Sequence, residues 1–328
     1  MGNHNYESRA RFTISFDSEG KWGVADQGPK TLSYIDGSGL RDAYCRILAL
    51  LRKYEVSATF GIVGALCMDH DELRDRVSSV PKLLYCNRDW LAPVRQDINN
   101  GKYDGWSHPE ILAMLMEDGK HELCSHGGFH VPYDEINTPV ESIDRDLSLI
   151  HAVQQEKGIF FENIIFPRNV VGYLKLLRDF GFHGYREMDP REQGLGLVER
   201  LMRLSYEFTS FDLKDMIPVG KISGKSPPPH FNKPVALSAG KFLNARIGIR
   251  NSISSRVSVQ RIKKFVDEAV SSNLRVHFYT HPHNFIRDSG MFSKLEKILM
   301  LVSDYRDSGV LDVITMKDEL GERYGIFN

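Results

Sequence analysis

Between Arg11 and Glu19 the chain alternates strictly. Phe12, Ile14 and Phe16 fall on one face, and Thr13, Ser15, Asp17 and Glu19 on the other, because successive strand side chains point to opposite sides. From Leu40 to Tyr54 the period changes. Leu40, Tyr44, Ile47, Leu51 and Tyr54 recur at helical spacing, and Ala58–Val63 then predicts a second strand. Ser107-His108-Pro109-Glu110 matches a capping box with Pro in the first turn, opening a helix that runs through Met116 and stops near Gly119. Further on, the pattern predicts strands at Glu122–Ser125, about 163–166, around Tyr185-Arg186, at Leu274–Thr280 and about 310–315. Helices are expected at about 140–157, 170–180, 196–208, 257–271 and 290–305, with a short one at the end. The stretch from about 68 to 106 has no clear period and reads as an irregular insertion.

Alternation of strand and helix along the whole length argues for a parallel, barrel-like α/β fold. No linker interrupts it, although residues 222–238 are rich in Pro and Ser, so one domain is expected over residues 1–328.

Composition narrows the class. A chain of 328 residues with 41% hydrophobic and 26% charged residues is globular rather than disordered. With 42 Lys+Arg against 43 Asp+Glu, the net charge of −1 argues against wholesale coating of nucleic acid. Cys45, Cys67, Cys86 and Cys124 are scattered and form no CxxC pair, which disfavours a zinc ribbon, a thioredoxin-like site or a disulfide framework. No apolar run is long enough to span a membrane, and no apolar leader precedes the first strand, so a cytoplasmic protein is expected.

Three clusters of reactive side chains fall at or just after predicted strand ends, where barrel enzymes carry their chemistry. They are Asp17-Ser18-Glu19-Gly20, His126-Gly127-Gly128-Phe129-His130 and His281-Pro282-His283. Each has an ordinary explanation. An acidic pair at a strand end is usually a solvated turn, Gly127-Gly128 disfavours a helix that would align the two histidines, and His281 could simply cap a turn. Three such coincidences at strand ends are harder to dismiss. Two imidazoles and a carboxylate are a normal donor set for zinc or cobalt. His277 shares the strand face of His281 and reads as a packed core residue. Cys124, two residues before His126, is explained by a short buried strand.

These residues resemble the motifs of the polysaccharide deacetylase superfamily, the NodB-homology carbohydrate esterases. Its acidic motif is matched by Phe16-Asp17-Ser18-Glu19-Gly20 and its Leu-rich helix and following strand by Leu50-Leu51-Arg52-Lys53-Tyr54 and Ala58-Thr59-Phe60. Its His-x-x-x-His pair is matched by His126 and His130, following Lys120-His121-Glu122. The resemblance covers roughly residues 10–190 and 257–320. It implies a distorted (β/α) barrel holding one divalent metal ion, commonly zinc, with cobalt, nickel or manganese as alternatives. His126, His130 and Glu19 would be the ligands, Asp17 the general base, His281 the general acid, and Arg168 in Phe166-Pro167-Arg168-Asn169 the arginine that holds the base. The spacing Asp17-Ser18-Glu19 leaves open which carboxylate is ligand and which is base. His283 competes with His281, and Asp212 is the one candidate for orienting the acid. The implied activity is removal of an N-acetyl group from an amino sugar in surface-glycan biosynthesis. The alternatives are hydrolysis of a cyclic amide or ureide of the allantoin type, or a glycan-binding relative without activity.

The near-zero net charge conceals a segregation. Residues 216–266 contain no Asp or Glu but ten basic residues, Lys221, Lys225, Lys233, Lys241, Arg246, Arg250, Arg256, Arg261, Lys263 and Lys264. Such a run can be a solvated flank or an oligomer contact. It can also recognise an anionic substrate, such as a pyrophosphate-linked acetamido sugar, with Arg246 and Arg250 as the candidate contacts.

Overall fold

The computed structural model describes residues 9–188, 204, 207–208 and 233–325. The expected helix at 196–208, Asp212, Lys221 and Lys225 lie outside the described residues, apart from single positions of that helix.

Among the described residues the framework is an all-parallel sheet of nine strands. In chain order these are β1 (Ala10–Ser18), β2 (Thr59–Ile62), β5 (Glu122–Ser125), β6 (Asn163–Ile164), β7 (Gly184–Arg186), β8 (Val235–Leu237), β9 (Lys241–Phe242), β10 (Arg275–Thr280) and β11 (Leu311–Val313); a separate hairpin supplies β3 (Leu84–Tyr85) and β4 (Arg88–Asp89). The sheet runs β8-β7-β6-β5-β2-β1-β10-β9. Strand β1 is its axis: one edge pairs with β10 over Arg11–Phe16, while the other pairs with β11 through Ala10–Phe12 and with β2 through Ser15–Ser18. With helices between the strands, the result is a distorted, partly open (β/α) barrel.

Hydrophobic period explains both faces of β1. Phe12, Ile14 and Phe16 are fully buried in the main core, where Phe16 stacks on Phe60 at 5.0 Å. The opposite face is also buried, and there polar groups satisfy one another. Ser15 Oγ lies 2.8 Å from His277 Nε2, and His277 Nδ1 lies 3.1 Å from the Ser238 carbonyl. Burial drives His277 down to about 3, so its ring is neutral and packed.

Most predicted elements appear within a few residues of their expected bounds, including helices Gly37–Lys53, Val140–Lys157, Ser255–Ser272 and Gly290–Asp307. Two local readings are corrected. Helix Pro109–Asp118 begins after His108 and has no side-chain cap; Ser107 Oγ donates instead to the Met68 carbonyl at 2.6 Å. Residues 68–106 are not irregular: they hold helices His70–Ser79 and Ala92–Asn99 and the β3–β4 hairpin. The stretch also braces the site loops. Trp90 Nε1 donates to the Phe129 carbonyl, and Trp22 Nε1 to that of Trp106, both at 2.9 Å.

Candidate active site

The C-terminal edges of β1, β5, β6, β9 and β10 converge on one pocket of about 580 Å³. Glu19 leaves the end of β1, His126 follows β5 and His281 follows β10, so three separate strands deliver the three sequence clusters to one place.

Glu19 Oε2 lies 3.2 Å from His126 Nε2 and 2.8 Å from His130 Nε2, and the two ring nitrogens are 3.2 Å apart. All three side chains are buried. His126 Nδ1 sits 2.8 Å from the Ile165 carbonyl. A carbonyl only accepts, so Nδ1 carries a proton; the neutral ring then turns its Nε2 lone pair to the cluster, and the protonated ring donates from Nε2 to Glu19. Glu19 Oε2 and the two Nε2 atoms thus face a common point, which either a proton shared between carboxylate and imidazole or a cation can occupy. Donors around a tetrahedral ion at about 2.0–2.1 Å would lie roughly 3.3 Å apart, so this set fits a divalent metal.

Charges in the cluster respond to the same crowding. Burial alone would raise Glu19, but the surrounding imidazoles, led by His281 and His130, hold it well below the ordinary carboxylate range. Burial pushes His130 down to about 4, whereas in His126 it is outweighed by the hydrogen bond to Glu19 and the field of Asp17, which raise it.

The loop's backbone brings the two histidines together. Gly127 turns at φ +82° and His130 itself sits at φ +58°, a conformation that non-glycine residues rarely adopt. Asp146 fixes the turn: Oδ2 accepts from the Gly128 amide and the Tyr133 hydroxyl at 2.8 Å, and Oδ1 from the Phe129 amide at 2.5 Å. Gly23 clears space for the carboxylate, since a Cβ there would stand 2.1 Å from Glu19 Cδ and Oε1.

Asp17 is held apart from the histidine pair. Arg186 Nη1 donates to Oδ1 and Nη2 to Oδ2, each at 2.7 Å. Burial would raise Asp17, but the Arg186 charge and hydrogen bonds bring it below its ordinary value. Arg186 is fixed in turn by Asn169 Oδ1 at 2.9 Å and by the Tyr279 ring, whose centroid is 3.9 Å from Cζ.

The arginine on Asp17 is thus Arg186, not Arg168. Arg168 lines the pocket but pairs with Asp26 near the surface, because it occupies a turn at φ +60° that carries its side chain outward while Asn169, also left-handed at φ +54°, faces Arg186. The missed signal was a charged residue on the last position of the short strand β7. Its partner is 169 residues away, beyond any local pattern.

His281 and His283 both reach the pocket. His281 Nε2 is 3.7 Å from Asp17 Oδ2, and its side chain is 26% exposed, against 5% for His283. Of the basic window, Arg250 lines the pocket, where Glu207 binds it at 2.6 and 2.9 Å. Arg246 does not line it: its guanidinium bonds to Ser255 Oγ and the Asn251 carbonyl, bracing the start of the following helix. Arg287, which sequence reasoning passed over, also lines the pocket and lies over the Tyr34 ring at 4.8 Å.

Fold and pocket together define a class: a (β/α) barrel with a Glu-His-His cluster and a buried Asp–Arg pair at its C-terminal rim. The chain has the fold of the polysaccharide deacetylases of the NodB-homology type. A Mycobacterium smegmatis protein assigned as a polysaccharide deacetylase superposes with a TM-score of 0.61 at 14% identity, covering 97% of this chain and 91% of that one. A similarly assigned Pseudomonas aeruginosa PAO1 protein gives 0.56 at 13% identity, covering 98% and 93%. The allantoinase Puue gives 0.57 at 13%, again covering 98% and 93%. No family model and no curated protein matches the sequence. At these identities the likeness is one of fold.

Proposed function

We propose that the protein is a metal-dependent hydrolase that removes the acetyl group from an acetamido sugar. The observation that carries this reading is the placement of Glu19, His126 and His130 beside, but separate from, the Asp17–Arg186 pair, with an accessible His281 on the same pocket. Glu19, His126 and His130 hold the metal, which when bound supplies Lewis-acid polarisation of the amide carbonyl and lowers the pKa of water. Asp17 receives the proton of the attacking water. Arg186 occupies one lone pair on each of its oxygens and fixes its direction, leaving the others free for that proton. His281, on the open side of the pocket, donates a proton to the departing amine, which leaves poorly as an anion. Buried His283 is less suited to that exchange.

Arg287 on the pocket wall, and Arg250 on exchanging its Glu207 partner, would meet an anionic acetamido sugar such as a nucleotide- or lipid-pyrophosphate-linked one. Such substrates suit a role in glycan biosynthesis. A cyclic ureide or amide is the competing substrate class, since the same groups suit water attack on the carbonyl of a ring amide. The deciding experiment compares acetate release from free and UDP-linked N-acetylhexosamines with ring opening of allantoin. Acetate release supports the deacetylase, and ring opening alone overturns it in favour of the ureide reading.

A further inference from the structure

Glu19 belongs to two donor sets rather than one. Its Oε2 faces His126 and His130, while its Oε1 faces His281 Nδ1 at 3.4 Å and His283 Nδ1 at 3.8 Å. Each set brings its donor atoms within 4.8 Å of one another, and Glu19 is the one residue they share. His283 is 4% exposed, and its Nδ1 is buried without a hydrogen-bond partner, aimed at the free side of the Glu19 carboxylate. The turn after β10 makes this possible: the Asn284 amide bonds to the His281 carbonyl at 3.0 Å, bringing the rings either side of Pro282 to 5.1 Å, tilted 35°.

We propose that Glu19 Oε1, His281 Nδ1 and His283 Nδ1 form a second, weaker divalent-cation site, bridged by Glu19 to the first, and that its occupation inhibits the enzyme. A carboxylate offers one oxygen to each of two cations, and paired metals commonly sit about 3.5–4 Å apart. Two imidazoles and one carboxylate suit zinc, cobalt or nickel. The inhibitory part rests on the reading of His281 as proton donor. A ring that gives its Nδ1 lone pair to a cation is not an imidazolium, so His281 can ligate or act as the acid, but not both. The first equivalent of metal therefore activates, and the second silences the acid.

Equilibrium dialysis of the full chain against graded zinc, followed by elemental analysis, tests the site without any substrate. The expected result is one tight equivalent and a second at higher zinc. His283→Ala should keep the first and weaken the second by roughly tenfold or more, the usual scale for loss of a metal-supporting group. Should His283→Ala unfold, His283→Gln keeps most of the volume and serves in its place. Wild-type saturation at one equivalent up to millimolar zinc, or an unchanged second equivalent in the folded variant, would overturn the site. Manganese EPR provides an independent measurement on the wild type: an exchange-coupled pair supports the Glu19 bridge, and two uncoupled ions contradict it. With a substrate in hand, turnover should fall as the second equivalent binds. Two bound equivalents with undiminished turnover would overturn the inhibitory part, while the second site and the hydrolase reading stand. Failure on every substrate would sink the hydrolase reading while the stoichiometry still decides the site.

Discussion

Arg186 grips both oxygens of Asp17, with two bonds of 2.7 Å between side chains that are almost completely buried. A buried pair of this geometry is a device for direction: it keeps one carboxylate ionised and aimed beside a second carboxylate, Glu19, that belongs to the histidine cluster. Two acids two residues apart are thereby given different work by their partners.

Removing the guanidinium should be costly. Arg186→Ala leaves a buried, unpaired carboxylate, and an unfolding titration should show a loss of about 3–5 kcal/mol. Arg168→Ala breaks a partly exposed pair with Asp26 and should cost under about 1 kcal/mol in the same assay. Equal losses would return the supporting role to Arg168.

Space around Glu19 gives a second expectation. Gly23→Ala places a methyl where the carboxylate stands, so Glu19 must swing away. Zinc affinity of the tight site should fall about 10–100-fold, while far-UV circular dichroism stays unchanged. Unaltered affinity would mean that Glu19 is not a ligand.

Glu122 makes stability depend on pH. Burial raises it from an ordinary 4.5 to about 7, despite hydrogen bonds from Asn163 Nδ2, Thr59 Oγ1 and the Lys317 amide. A raised folded pKa means that the folded state holds its proton more tightly than the unfolded one. Its stabilising contribution is thus complete below about 4.5 and lost as pH rises through about 7. Relative to Glu122→Gln, the wild type should lose roughly 1–3 kcal/mol across that window in urea titrations. Parallel curves would contradict the assignment.

The loop anchor is testable in the same way. Asp146 accepts from two loop amides and from Tyr133, so Asp146→Ala strands three buried donors and should destabilise by several kcal/mol. It should also weaken the tight zinc site, since His126 and His130 flank the amides it holds. A stability loss with zinc affinity unchanged would separate the anchor from the metal centre.

How far these features could be read in advance depended on range. Phe12, Ile14 and Phe16 declared a strand through local alternation, and the His126–His130 spacing drew attention to their loop. Arg186 was silent because its meaning lies in a partner 169 residues away. The capping box at Ser107 failed because Met68 offered the hydroxyl a better-placed acceptor. Residues 68–106 looked irregular because two-residue strands carry no period. Their order comes from tertiary bonds such as Trp90 to the Phe129 carbonyl and Trp106 to Asp97. The membrane expectation rested on apolar runs alone, and among the described residues no helix is long and apolar enough to cross one.

The central claim is that Glu19, with His126 and His130, holds the metal and that Asp17 does not. The most direct measurement is the tight-zinc content of Asp17→Asn beside Glu19→Gln after dialysis at limiting zinc. The account predicts a full equivalent in Asp17→Asn and little or none in Glu19→Gln. Zinc lost from Asp17→Asn and kept by Glu19→Gln would contradict it, and would exchange the roles of the two carboxylates.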